Sequence, residues 1–158
     1  MSSQSLPEPQ SLPEPVGVAR TRRAELLAAI TALEAALAAP ARDPVWVARL
    51  QASTDRLAAA FDDHVEATEG PDGMYADILR TAPRLHFAVA RLAAEHDDAK
   101  VAIMALGKLV DDLSGPDRDA IERIREEGTD LLARLGRHRQ RGADLVFEAY
   151  EQDIGGCD

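Results

Sequence analysis

Apolar residues recur along most of this chain at steps of three and four, the spacing that keeps side chains on one face of an α-helix. One stripe runs Val47, Leu50, Thr54, Leu57, Phe61, His64. A second runs Leu85, Val89, Leu92, His96, Ala99, Ile103, Leu106, Val110, and a third Ile121, Ile124, Gly128, Leu131, Leu135, His138, Gly142, Leu145. An earlier, shorter one contains Leu26, Leu27, Ile30, Leu33 and Leu37. No stretch alternates with the period of two that a half-buried strand needs.

Helix breakers divide these stripes into elements. The first helix is expected from about Val18 to Ala39, with Pro40 just past its end and Arg20, Arg22 and Arg23 opposing its dipole at the start. Asp43 as N-cap and Pro44 at the first helical position open a second helix reaching Thr68. Gly70, Pro71, Asp72 and Gly73 make a turn, and a short helical piece follows from Met74 to Arg80. Thr81 and Pro83 open a third long helix to about Leu113. After Ser114, Gly115 and Pro116 a fourth runs to roughly Gln152, ahead of Gly155 and Gly156. Gly128, Gly136 and Gly142 each cost about 1 kcal/mol against alanine, which predicts a kink or split near Gly128. The expected architecture is all-α, an up-down-up-down four-helix bundle over residues 18–154. Residues 1–17 carry a tandem SLPEP, Ser5 to Pro9 and Ser11 to Pro15, and are expected to form a disordered leader, with a short tail at 155–158.

With 158 residues the chain suits one domain. Its 4% aromatic content leaves the core to Leu, Ala, Val and Ile, as in close-packed helices. The formal net charge of -10 repels phosphate backbones and anionic lipid, so nucleic acid and membrane surfaces are not expected partners. Cys157 is the only cysteine, so no intrachain disulfide forms, which fits a cytoplasmic setting. No run of 18 apolar residues and no secretory-signal pattern is present at the N-terminus.

The chemistry lies in three histidines, His64, His96 and His138, each on the inward stripe of a different helix. Carboxylates stand near each: Glu66 and Glu69, Glu95 and Asp98, and Asp144. Imidazole with carboxylate is the ligand set of zinc and of non-haem iron or manganese. His86, ten residues before His96, lies about 80° around its helix and is expected at the surface. No Ser-His-Asp arrangement, phosphate-binding glycine loop or Cys-rich zinc pattern accompanies them.

Leu57-Ala-Ala-Ala-Phe61-Asp-Asp-His64, Leu92-Ala-Ala-Glu95-His96, and Leu132-Ala-Arg-Leu-Gly-Arg-His138 followed by Leu145-Val-Phe-Glu-Ala-Tyr150 give the chain a likeness over residues 18–154. It resembles the hemerythrin-like, or HHE cation-binding, superfamily. The resemblance implies a four-helix bundle holding iron with histidines from all four helices and two bridging carboxylates, and binding or acting on small molecules such as dioxygen, nitric oxide or peroxide. Several family positions are changed. Residues 18–39 contain no histidine, the glutamate position after His64 is Thr68, the second histidine position of the third helix is Lys100, and the carboxylate position after His138 is Ala143. A dinuclear oxygen carrier is therefore not expected.

Two arrangements remain open from the sequence. In one, His64, His96 and His138 with Glu69 hold a single ion, iron or alternatively zinc or manganese. In the other no ion binds, and the Lys100 ammonium fills its place, paired with Glu69 or Asp144. The corresponding functions are binding or redox chemistry on a small molecule, or a metal-free homodimer or accessory subunit. That subunit would touch its partner through the Gly70–Tyr75 turn and the segment Phe147–Tyr150. A third reading is an enzyme using His and Glu for proton transfer.

Overall fold

The computed structural model describes residues 13–151, and these form helices α1 (Glu14–Ala38), α2 (Trp46–Glu69), α3 (Met74–Thr81), α4 (His86–Asp111) and α5 (Arg118–Tyr150). A 3-10 turn over Pro83–Leu85 leads into α4. No strand occurs among the described residues. The four long helices pack as a bundle: α1 against α2, α2 against α4, α4 against α5, and α5 back against α1. The short α3 lies against α2 and α1 at one end. No described helix is long and apolar enough to cross a membrane.

α1 begins four residues before the expected Val18. Pro15 sits in the first turn, where its missing N–H forfeits no hydrogen bond, and Val16 and Ala19 gain burial. Packing therefore extends the helix into the proline-rich stretch. The first SLPEP copy and Cys157 lie outside the described residues. Leu27, expected inside, is 41% exposed, and Ala29 and Ala36 are buried on α1 instead. Asp43 accepts from the Val45 backbone N–H at 3.1 Å within a turn, so α2 opens at Trp46. Asp117 caps α5 through the backbone N–H groups of Asp119 and Ala120, at 3.1 and 3.2 Å.

α5 runs unbroken through Gly128, contrary to the expected kink. The glycine has a packing reason: a Cβ there would lie 2.6 Å from the Leu37 Cδ1 of α1. Gly136 differs, since a Cβ would meet nothing within 4 Å. Gly136→Ala should raise unfolding free energy by roughly 0.5–1 kcal/mol. Gly128→Ala should gain nothing, because overpacking of about 1–3 kcal/mol opposes the propensity gain. Chemical denaturation of both variants checks the contrast.

The core comes in two apolar blocks. The larger gathers Leu26, Leu33, Trp46, Leu50, Leu57, Phe61, Leu106, Val110, Ile124 and Leu135. The smaller surrounds α3, with Val16, Met74, Tyr75, Ile78, Leu85, Leu92 and Leu145. The three buried histidines are in neither block; their rings lie near Phe61 of the larger one, and His96 also stacks on Tyr75 of the smaller.

Candidate metal centre

His64 comes from the last turns of α2, His96 from the middle of α4 and His138 from the second half of α5. All three are buried, His96 completely. Their Nε2 atoms form a near-equilateral triangle, with His64 to His138 at 3.3 Å, His96 to His64 at 3.3 Å and His96 to His138 at 3.1 Å. These are the only groups of three metal-capable side chains brought together among the described residues. A tetrahedral ion with metal–nitrogen bonds of about 2.0–2.1 Å sets its nitrogens ~3.3–3.4 Å apart. The triangle is close to that size.

Hydrogen bonds fix two of the ring tautomers. His96 Nδ1–H donates to Glu69 Oε1, and His138 Nδ1–H donates to Glu95 Oε2 at 2.9 Å. A carboxylate only accepts, so each Nδ1 carries the proton and each Nε2 presents a lone pair. Glu95 is itself held by Arg141 at 2.8 Å and by Arg91 at 3.5 Å. Two lone pairs thus face each other across 3.1 Å with no proton between them. His64 can supply at most one Nε2 proton to this pair of acceptors. Burial first, and then the neighbouring imidazoles, lower the pKa of His64 and of His96 to about 3, so both rings are neutral at neutral pH. Arg23 adds to the effect at His64, and Lys100 at His96, where Asp97 and Glu95 oppose it.

Aromatic rings close the surroundings. Phe61 lies 5.9, 5.7 and 6.4 Å from the ring centres of His64, His96 and His138. Tyr75 stacks on His96 at 5.9 Å with planes 7° apart. Tyr75 was expected in an exposed contact turn; it is buried, and burial pushes its hydroxyl pKa up. The other proposed contact segment is partly committed too, since the Tyr150 hydroxyl donates to Asp77 at 2.6 Å, while Phe147 is 53% exposed.

The remaining sequence expectations separate cleanly. Glu69 reaches the site, but at the outer nitrogen of His96 and not among the converging donors. Its carboxyl pKa is raised by burial and by Asp97, with Lys100 pulling the other way. Thr68 turns its hydroxyl back to the His64 carbonyl at 2.9 Å. Asp144 accepts from Gln140, and His86 is exposed. Lys100 does not fill the centre: its ammonium pairs with Asp62 at 3.3 Å, and the side chain is 41% exposed. Its long stem carries the charge outward to solvent. Lys100→Met should therefore cost under about 1 kcal/mol, as for other exposed ion pairs; thermal unfolding of the variant tests this. Glu95 as the orienter of His138 went unread in the sequence, because its partner lies on another helix.

No protein-family model, curated protein or solved structure matches this chain.

Proposed function

We propose that this protein is a mononuclear metal-binding bundle in which Nε2 of His64, His96 and His138 holds one divalent transition-metal ion for binding or redox chemistry on a small molecule. The observation that carries this is the triangle of inward nitrogens, two of them locked as lone-pair donors by Glu69 and Glu95. A cation relieves that arrangement, and hydrogen bonding among the three rings does not. Neutral imidazoles without a directly converging carboxylate suit zinc or ferrous iron, whereas manganese prefers oxygen ligands. Such an ion supplies Lewis-acid or redox chemistry at its remaining coordination positions.

The chain's own residues then have distinct tasks. Glu69 and Glu95 fix ring orientation and raise the basicity of the ligating nitrogens. Phe61 and Tyr75 exclude water from two sides. The three histidines are among the residues on which the hemerythrin-like resemblance rests, and the single-ion ligand set departs from that family's pattern. A cytoplasmic setting belongs to the same proposal.

The test is elemental analysis of protein purified without chelator or metal-affinity tag, followed by titration of stripped protein with zinc and with ferrous iron. About one ion per chain is expected. Free ion at 100 times its dissociation constant should stabilise the fold by about 2.7 kcal/mol, a shift of several degrees in Tm. Substoichiometric metal and an unmoved Tm with both ions would leave the metal-free accessory subunit as the better account.

A further inference from the structure

The three most exposed large apolar side chains among the described residues, Phe87, Met104 and Val101 at 84%, 73% and 69%, all stand on α4. They share one stripe. Phe87, Ala90, Ala94, Asp97, Val101 and Met104 are all exposed and follow one another at alternating steps of three and four, the seam of a coiled coil. At about 100° per residue this seam lies roughly opposite the buried stripe through Val89, His96, Ile103 and Val110. α4 therefore has two apolar faces, and the bundle covers one. Neither the Gly70–Tyr75 turn nor the Phe147–Tyr150 segment belongs to the uncovered one. Apolar residues at this spacing suit a facing helix, and the charges bordering the seam decide which helix and in which direction.

We infer that this face is covered by a second copy of the chain, with α4 packed antiparallel on the partner's α4 about a two-fold axis level with Glu95 and His96. In that register Phe87 meets the partner's Met104, Ala90 the partner's Val101 and Ala94 the partner's Asp97, and symmetry repeats each contact. Arg91 and Asp98 flank the seam on one side, and both are exposed. Antiparallel packing sets Arg91 beside the partner's Asp98 and Asp98 beside the partner's Arg91, so both contacts are attractive. On the other side Lys100 falls beside the partner's Ala93, and no like charges meet. A parallel pair would instead oppose Asp97 to the partner's Asp97 and set Arg91 against the partner's His86. The contact follows α4 for about 39 Å at a helix width of about 10 Å, roughly half the ~800 Å² per partner of a standard interface, which makes the dimer a dissociable one. His96 is on the opposite face, so dimer and metal centre stand or fall separately.

Sedimentation equilibrium of the full chain, from micromolar to millimolar concentration, should show a reversible rise from 17.0 kDa to twice that mass. Phe87→Glu and Met104→Glu should each weaken the dimer at least about tenfold, because a carboxylate in the seam loses its water. Both side chains are exposed in the single chain, so helical circular dichroism should not change, and Phe147→Glu, also exposed, should leave the dimer intact. Asp97→Leu should tighten it by removing the one charge within the seam. Arg91→Glu or Asp98→Lys alone brings like charges together at both symmetric contacts and should weaken association about tenfold. An equimolar mixture of these two variants should associate as tightly as the parent, since each copy then meets its opposite charge at both places. A chain that stays monomeric at millimolar concentration would overturn the second copy as occupant and leave the face to a different protein. A dimer indifferent to Phe87→Glu and Met104→Glu would do the same, by placing the interface elsewhere. A mixture that associates no better than its two components would rule out the antiparallel pairing.

Discussion

Replacing His96 with alanine is expected to empty the metal centre. Its Nε2 lies 3.3 Å from that of His64 and 3.1 Å from that of His138, so without it the set falls from three converging donors to two. Loss of a partner that only orients a ligand costs about 10–100-fold in metal affinity. Loss of one of three ligands should exceed the upper end of that range. His64→Ala and His138→Ala should behave alike, Glu69→Gln and Glu95→Gln should fall within the range itself, and His86→Ala should change nothing. Equilibrium dialysis against a competing chelator, with circular dichroism to confirm retained helix, measures each. Stoichiometric metal in His96→Ala would refute the centre.

Acid should unfold the stripped protein well before its carboxylates are protonated. His64 and His96 have folded pKa values of about 3, against about 6.5 in the unfolded chain, so between those limits the unfolded state binds more protons. Stability from this source is complete above about pH 6.5 and is lost as pH falls toward 3. The slope approaches about 1.4 kcal/mol per pH unit for each ring, or roughly 3 kcal/mol for the two between pH 6.5 and 5. That is a large share of the 5–15 kcal/mol typical of a domain. Bound metal competes with protons for the same lone pairs and should move the acid limb to lower pH. Urea titrations across this range, with and without zinc, give both curves. A flat profile in the stripped protein would show that the rings are not held neutral by burial.

Much of this was legible along the chain, for a physical reason. Burial on a helix repeats with the helix, so the stripe from Leu85 to Val110 and the inward facing of all three histidines follow from spacing. What spacing cannot give is a partner on another helix. Glu69 follows His64 by five residues yet bonds His96, and Glu95 precedes His96 yet bonds His138. Lys100 is left open by spacing for the same reason: its register after His96 allows an inward place, while the length of its side chain lets the charge leave for Asp62. Gly128 signals weakness in a helix taken alone and becomes a point of close approach once Leu37 is opposite.

The division of the core into two apolar blocks bears on how the molecule comes apart. Packing cooperativity is carried by contiguous apolar contact, and a layer of polar rings across a bundle weakens the mechanical link between its halves. Stripped of metal, the end built around α3 should open as a separate unit, with its amides exchanging faster than those near Trp46. An ion bound to α2, α4 and α5 at that layer works as a rivet through three of the long helices, merging the two units into one. Hydrogen exchange of the Met74–Thr81 amides, far slower with metal than without it, would report occupancy from a helix that contributes no ligand.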